Sequence, residues 1–308
     1  REAAAAMPEQ TALVAGVADI AKRTRWNFAE LLEICESVAR ALLSRFEPGE
    51  HIAVWANNVP EWVFLEYGAG LAGITLVTVN PAFRTKELEY VLRQSRAAGL
   101  FHVGGFRGNR MGDSVAEVRT KLPGLRETVD FAQWSDFLQS GSQSQTLPVV
   151  EPDDAALILY TSGTTGFPKG AVLHHKGLTN NSRFAANRWG LRAGSILVSP
   201  MPLFHAGGCS GTALGSLQSL TTLVLMQQFD PALMLELIET EKADMAIGVP
   251  TMLVALEEAA EFKIRDITSL RALQTGGANV PVELVRRYEE RLSEGFSMVY
   301  GLSEACPV

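Results

Sequence analysis

The chain has 308 residues, 47% of them hydrophobic, enough to bury about three quarters of its unfolded surface and to form roughly two domains. With 27 Lys and Arg against 34 Asp and Glu, its net charge is −7 and its pI near 5.4, which excludes the broad basic face used to grip nucleic acid or anionic lipid. Three cysteines, Cys35, Cys209 and Cys306, far apart and odd in number, form neither a disulfide framework nor a zinc cluster and fit a reducing, cytoplasmic setting.

The opening "REAAAAMPEQ" lacks the apolar core of a secretory signal, and no later run approaches the ~20 apolar residues of a membrane span. Asn27 with Glu30 three residues on reads as a capping box. Behind it Phe28, Leu31, Leu32, Cys35, Val38, Ala39 and Leu42 fall at helical spacing, predicting an amphipathic helix. Next come a strand in "HIAVWA", a helix in "PEWVFLEYGAGLAG" and a strand in "ITLVTVN". The glycines of "GAGLAG" match a dinucleotide fingerprint in spacing but follow a helix and precede a strand, the reverse of what that fingerprint needs, so close packing at a helix end is the better account. The polar stretch Gln139 to Asp154, rich in Ser and Gln, reads as a linker between two sheet-containing halves, 1–150 and 151–308. Strands follow in "AALILY", "SILVSP", "TTLVLM", "MAIGV", "LRALQT" and "FSMVY", with helical segments between most of them, and Asp230-Pro231 marks one helix start. The alternation predicts an α/β fold of mostly parallel sheets flanked by helices.

"YTSGTTGFPKGAV", from Tyr160, follows a strand and precedes a segment helical from about His175, so it sits at the carboxyl edge of a sheet, where such folds bind ligands. Gly163 and Gly166 let backbone N–H groups converge on an anion, Thr161, Ser162, Thr164 and Thr165 add hydroxyl donors, and Lys169 adds a positive charge. This composes a polyphosphate cradle. It is not a Walker loop: Phe167 and Pro168 stand where the second glycine belongs, and Gly170 follows the lysine, so a P-loop kinase or ATPase is disfavoured. His174 and His175 are adjacent, point apart on regular structure and have no further ligand nearby, and they receive no functional role.

The Tyr160 stretch resembles the phosphate-binding signature of the adenylate-forming superfamily, which comprises acyl- and aryl-CoA synthetases, firefly-type luciferases and peptide-synthetase adenylation domains. "MPLFHAGG" from Met201, "TGGANVPVEL" from Thr275 and "YGLSEACPV" from Tyr300 agree with it in order and spacing, and residues 55–92 resemble the fatty acyl-CoA synthetase branch. The resemblance implies stacked, mostly parallel sheets and an acid–thiol ligase that joins a carboxylic acid to ATP and passes the acyl group to coenzyme A, with AMP released and Mg²⁺ as cofactor. It implies that Thr161 to Lys169 hold the β- and γ-phosphates, with Thr164 and Lys169 acting in catalysis, and that Gly276, Gly277 and Ala278 receive adenine. Tyr300 would stack on the base, with Gly301 and Leu302 beside the nucleotide, Ser303 on the α-phosphate and Glu304 on Mg²⁺. Ser303 stands where the family usually has Thr and keeps the hydroxyl. Taken singly, Tyr300 reads equally well as a buried core aromatic, and Glu304 as a solvated surface charge. His205 occupies the place where peptide-synthetase domains carry an aspartate for the substrate ammonium, which implies an acid without an α-amino group and puts His205 near the carboxylate.

The chain begins at Arg1 and stops at Val308, before the family's ribose-binding aspartate, hinge and small C-terminal lid domain. The expectation is therefore a truncated amino-terminal portion that binds nucleotide weakly and is inactive or weakly active alone. For the parent protein a medium- or long-chain fatty acid is the expected substrate; an aryl or cinnamate-type acid is the alternative, as is a non-catalytic nucleotide- or acyl-binding fragment. No nucleic-acid partner is expected, and oligomerisation stays open.

Overall fold

The computed structural model describes residues 1–161, 168–293 and 295–306. Thirteen strands are found among them: β1 (Thr11–Gly16), β2 (Arg25–Asn27), β3 (His51–Trp55), β4 (Thr75–Val79), β5 (Gly99–His102), β6 (Glu127–Asp130), β7 (Ala155–Thr161), β8 (Lys169–His174), β9 (Ile196–Ser199), β10 (Thr222–Met226), β11 (Met245–Ile247), β12 (Ala272–Gly276) and β13 (Gly295–Val299). They form a seven-stranded sheet in the order β13-β12-β11-β9-β10-β1-β2 and a six-stranded sheet in the order β6-β5-β3-β4-β7-β8. All neighbours run parallel except β1 with β2 and β7 with β8. The expected α/β class of mostly parallel, helix-flanked sheets is what the chain adopts.

Two compact units divide the chain, each holding one sheet: the first from Arg1–Leu31, Thr179–Pro202 and Gly207–Val308, the second from Leu32–Leu178 and Leu203–Ala206. These units interleave where sequence order alone placed one cut near residue 150. The reason is strand pairing: β1 lies beside β10 in the first unit, whereas β7 and β8 extend the sheet begun by β3 and β4. The stretch Gln139 to Asp154 therefore joins strands of one sheet.

In the first unit a core of Val14, Val198, Val224, Leu235, Ile238 and Leu273 fills one sheet face. Asp230 caps the helix Pro231–Glu241, its Oδ1 accepting the Leu233 N–H at 2.8 Å. After Ala206 the chain winds as a π-helix over Gly207–Leu214. In the second unit Trp55, Val77, Val79, Leu88, Leu92 and Leu100 form a comparable core. The helix Phe28–Leu43 begins with both halves of the expected capping box, since the Glu30 N–H donates to Asn27 Oδ1 at 2.8 Å and the Asn27 N–H to Glu30 Oε2 at 2.9 Å. The "GAGLAG" glycines do close the packing of a helix end. A Cβ on Gly68, in the helix Pro60–Ala72, would overlap the Val38 side chain of the helix Phe28–Leu43.

Candidate functional site

In the second unit, Thr161 ends β7 and Lys169 begins β8, and the two are paired in register. Ser162, Gly163, Thr164, Thr165 and Gly166 lie outside the described residues. The strand β8 is unexpected, since a helix was to follow the loop after a gap; six residues of antiparallel pairing come first, and the helix His175–Arg188 starts directly behind them. One helix, Thr85–Gln94, braces both strand ends. The Tyr90 hydroxyl donates to the Pro168 carbonyl at 3.1 Å and receives the Gln94 amide at 3.0 Å, while the Tyr160 hydroxyl donates to the Val91 carbonyl at 3.3 Å. Burial pushes the Tyr160 hydroxyl up to about 12, so it stays a donor at physiological pH. Lys169 is exposed.

His205 belongs to the second unit through the short segment Leu203–Ala206. The residue is exposed, yet the protein mass around it holds the imidazole below the ordinary histidine range, because burial disfavours the cation. At neutral pH it is therefore an uncharged donor and acceptor. The Leu203 N–H, two residues earlier, donates to Asn58 Oδ1 at 2.9 Å.

In the first unit, β12 and β13 are adjacent and parallel, with Gly276 opposite Val299. Gly277 and Ala278 leave one strand, and Tyr300, Gly301, Leu302, Ser303 and Glu304 leave its neighbour, so two stretches separated by more than twenty residues meet at one carboxyl edge. A Cβ on Gly276 would lie 2.5 Å from both the Val299 carbonyl oxygen and its Cγ2, so this glycine makes room first for the neighbouring strand. Gly277 has φ +79°, a left-handed conformation that favours glycine and turns the chain outward. Tyr300 is 80% exposed in this chain. Ser303 opens a short 3-10 turn through Ala305, and Glu304 is exposed on it.

Among the described residues no three His, Cys, Asp or Glu side chains cluster to hold a metal by themselves. Glu304 alone is still compatible with Mg²⁺, which keeps several waters and is commonly bound by one or two carboxylates plus substrate phosphates. His174, given no role from sequence, caps the helix His175–Arg188: its Nδ1 accepts the Gly177 N–H at 2.9 Å. The supports Tyr90, Gln94 and Asn58 escaped the motif reading. The i, i+4 spacing of Tyr90 and Gln94 on one helix, and a pair of asparagines between a strand and Pro60, are the signals that mark them.

The chain belongs to the AMP-binding enzyme family, whose model matches residues 1–308. The medium-chain acyl-CoA ligase ACSF2, mitochondrial, of Mus musculus is 30% identical over 98% of this chain and 54% of its own length. A feruloyl-CoA synthase from Amycolatopsis sp is 31% identical over 92% of this chain and 55% of its own length. Among solved structures, the inhibitor-bound N-terminal domain of FACL13 from Mycobacterium tuberculosis superposes with a TM-score of 0.88 at 25% identity, over 99% of this chain and 75% of that one. The chain thus spans about half the length of the curated relatives it matches. No helix among the described residues is long and apolar enough to cross a membrane.

Proposed function

We propose that the chain carries the nucleotide- and acid-binding motifs of an AMP-forming acid–thiol ligase that activates a carboxylic acid with ATP and transfers the acyl group to coenzyme A. The observation that supports this best is the pairing of β12 with β13, which sends Gly277-Ala278 and Tyr300 to Glu304 out of the same sheet edge with the Tyr300 ring exposed. In this reading the tyrosine stacks on adenine, Ser303 donates to the α-phosphate and Glu304 takes one position on Mg²⁺, which would draw charge from the phosphate oxygens when bound. Lys169 and the hydroxyls at Thr161, Ser162, Thr164 and Thr165 hold the pyrophosphate end, and one such donor contributes about 3 kcal/mol where charge develops in the transition state. A carboxylate oxygen of the acid bonds to the α-phosphorus as the bond to pyrophosphate breaks. The thiol sulfur then bonds to the acyl carbon as AMP leaves. Neutral His205 donates a ring N–H toward the acid carboxylate and presents no charge to a substrate ammonium.

The acid we favour is a medium- or long-chain fatty acid, on the strength of His205 and the ligase named in mouse. An aryl acid is the second reading, supported by the feruloyl-CoA synthase relative. Three free thiols, two of them buried, support a reducing compartment such as the cytoplasm; the mouse relative is named mitochondrial, so fractionation of source cells tests the placement. The deciding experiment is ATP–pyrophosphate exchange by the whole protein with fatty acids and ferulate. Exchange driven by fatty acid and abolished in Lys169→Ala and Glu304→Ala, both still folded, is expected. Exchange untouched in both variants contradicts the reading, and exchange with ferulate alone selects the aryl acid.

A further inference from the structure

We infer that Asn58 is a positioning residue, whose side-chain oxygen holds the Leu203–Ala206 segment, and with it His205, at the edge of the six-stranded sheet where β7 and β8 carry Thr161 and Lys169. The inference rests on the proposed role of His205. Leu203–Ala206 counts with the second unit although the stretches before and after it, Thr179–Pro202 and Gly207 onward, count with the first. Four residues set apart in this way from their chain neighbours need a fixed partner in the second unit. Asn58 supplies it: its Oδ1 accepts the Leu203 N–H at 2.9 Å, with Asn58 6% and Leu203 1% exposed.

The acceptor is itself held still. Residues 56–59 are pinned between β3 and the helix that begins at Pro60, and Trp55, which ends β3, donates its Nε1–H to the Asn80 carbonyl at 3.0 Å. Register places the hook beside the phosphate motif. Trp55 pairs with Val79 and Val77 with Ile158, so Tyr160 is level with Trp55 across β4, and Thr161 and Asn58 both lie just past the same edge. Two strand spacings separate β3 from β7, roughly 10 Å. An error of about 1 Å in the placement of a reacting group is enough to cost on the order of a hundredfold in rate. A buried N–H left without its acceptor has no reason to stay where it was.

The test follows Leu203 amide exchange and the His205 imidazole titration by NMR in the 308-residue chain, with kinetics of acid activation in the whole protein. In Asn58→Ala, Leu203 exchange is expected to accelerate roughly tenfold, with the amides of β3, β4 and β7 unchanged. The His205 titration should rise toward the ordinary imidazole range and KM for the acid should increase. Asn58→Asp retains the accepting oxygen and should keep Leu203 protected; Asn58→Ser, which withdraws the oxygen, replaces the alanine variant if that fails to fold. Leu203 protected in Asn58→Ala as in the parent overturns the inference. A response at Leu203 and His205 without any change in KM upholds the positioning and removes instead the reading of His205 as the carboxylate contact.

Discussion

Replacing Glu66 by Gln should flatten the dependence of stability on pH. Glu66 is 6% exposed on the helix Pro60–Ala72, and neither of its carboxylate oxygens has a hydrogen-bond partner among the described residues; the same holds for Trp62 Nε1, one turn earlier. Such desolvation holds the carboxyl well above the usual glutamate range. The folded acid therefore keeps a proton that the unfolded chain has already released. Because the folded state binds the extra proton, stability falls as pH rises, by about 1.4 kcal/mol per unit. The window opens near the unfolded glutamate value of about 4.3 and closes at the raised folded value; below both, the effect vanishes. Glutamine keeps the shape and removes the titration. Urea unfolding of parent and Glu66→Gln, followed by tryptophan fluorescence at several pH values from about 5 upward, should show the variant gaining about 1.4 kcal/mol on the parent per unit. A difference that stays constant across that range refutes the argument, whatever its sign.

Three other substitutions probe the scaffold of the candidate site. Gly276→Ala places a Cβ 2.5 Å from the Val299 carbonyl oxygen, so β13 must move, and thermal unfolding should report a loss of about 1–3 kcal/mol. His174→Ala removes the cap of the helix His175–Arg188 and should lower stability by about 1 kcal/mol, whereas His174→Asn, with a shorter acceptor suited to caps, should recover most of it in the same denaturation assay. Tyr90→Phe deletes the hydroxyl between Gln94 and Pro168; KM for ATP should rise several-fold, as expected for a bond of about 1 kcal/mol, with the unfolding midpoint almost unchanged.

Much of this is legible in the amino-acid sequence, and the exceptions have physical causes. The eight strands predicted from β-rich runs all form, because long apolar stretches such as "HIAVW" and "TLVLM" are buried on both faces of parallel sheets. β5 and β6 were missed: four residues each, "GLFH" and "ETVD", they owe their strand state to pairing with β3 and with each other rather than to local pattern. β8 was missed because Lys169 to His174 is mostly exposed and, among the described residues, pairs only with β7. β1 and β2 were not predicted either, and sequence order conceals which sheet a strand joins, so the partnership of β1 with β10 across some two hundred residues was not legible. The motifs named most of the candidate site, whereas its supports, Tyr90, Gln94 and Asn58, act through single hydrogen bonds to distant backbone that no local pattern reveals.

The measurement that bears most directly on the nucleotide reading is calorimetric titration of the 308-residue chain with ATP–Mg²⁺ and with a non-hydrolysable acyl-adenylate analogue. Saturable binding of both is predicted. Tyr300→Ala should weaken both by about tenfold or more, since an aromatic face on a base contributes about 1–3 kcal/mol. Lys169→Ala should weaken ATP and leave the analogue, which has no pyrophosphate, unaffected. Binding of either ligand that is indifferent to Tyr300, or no binding at all, would contradict the account.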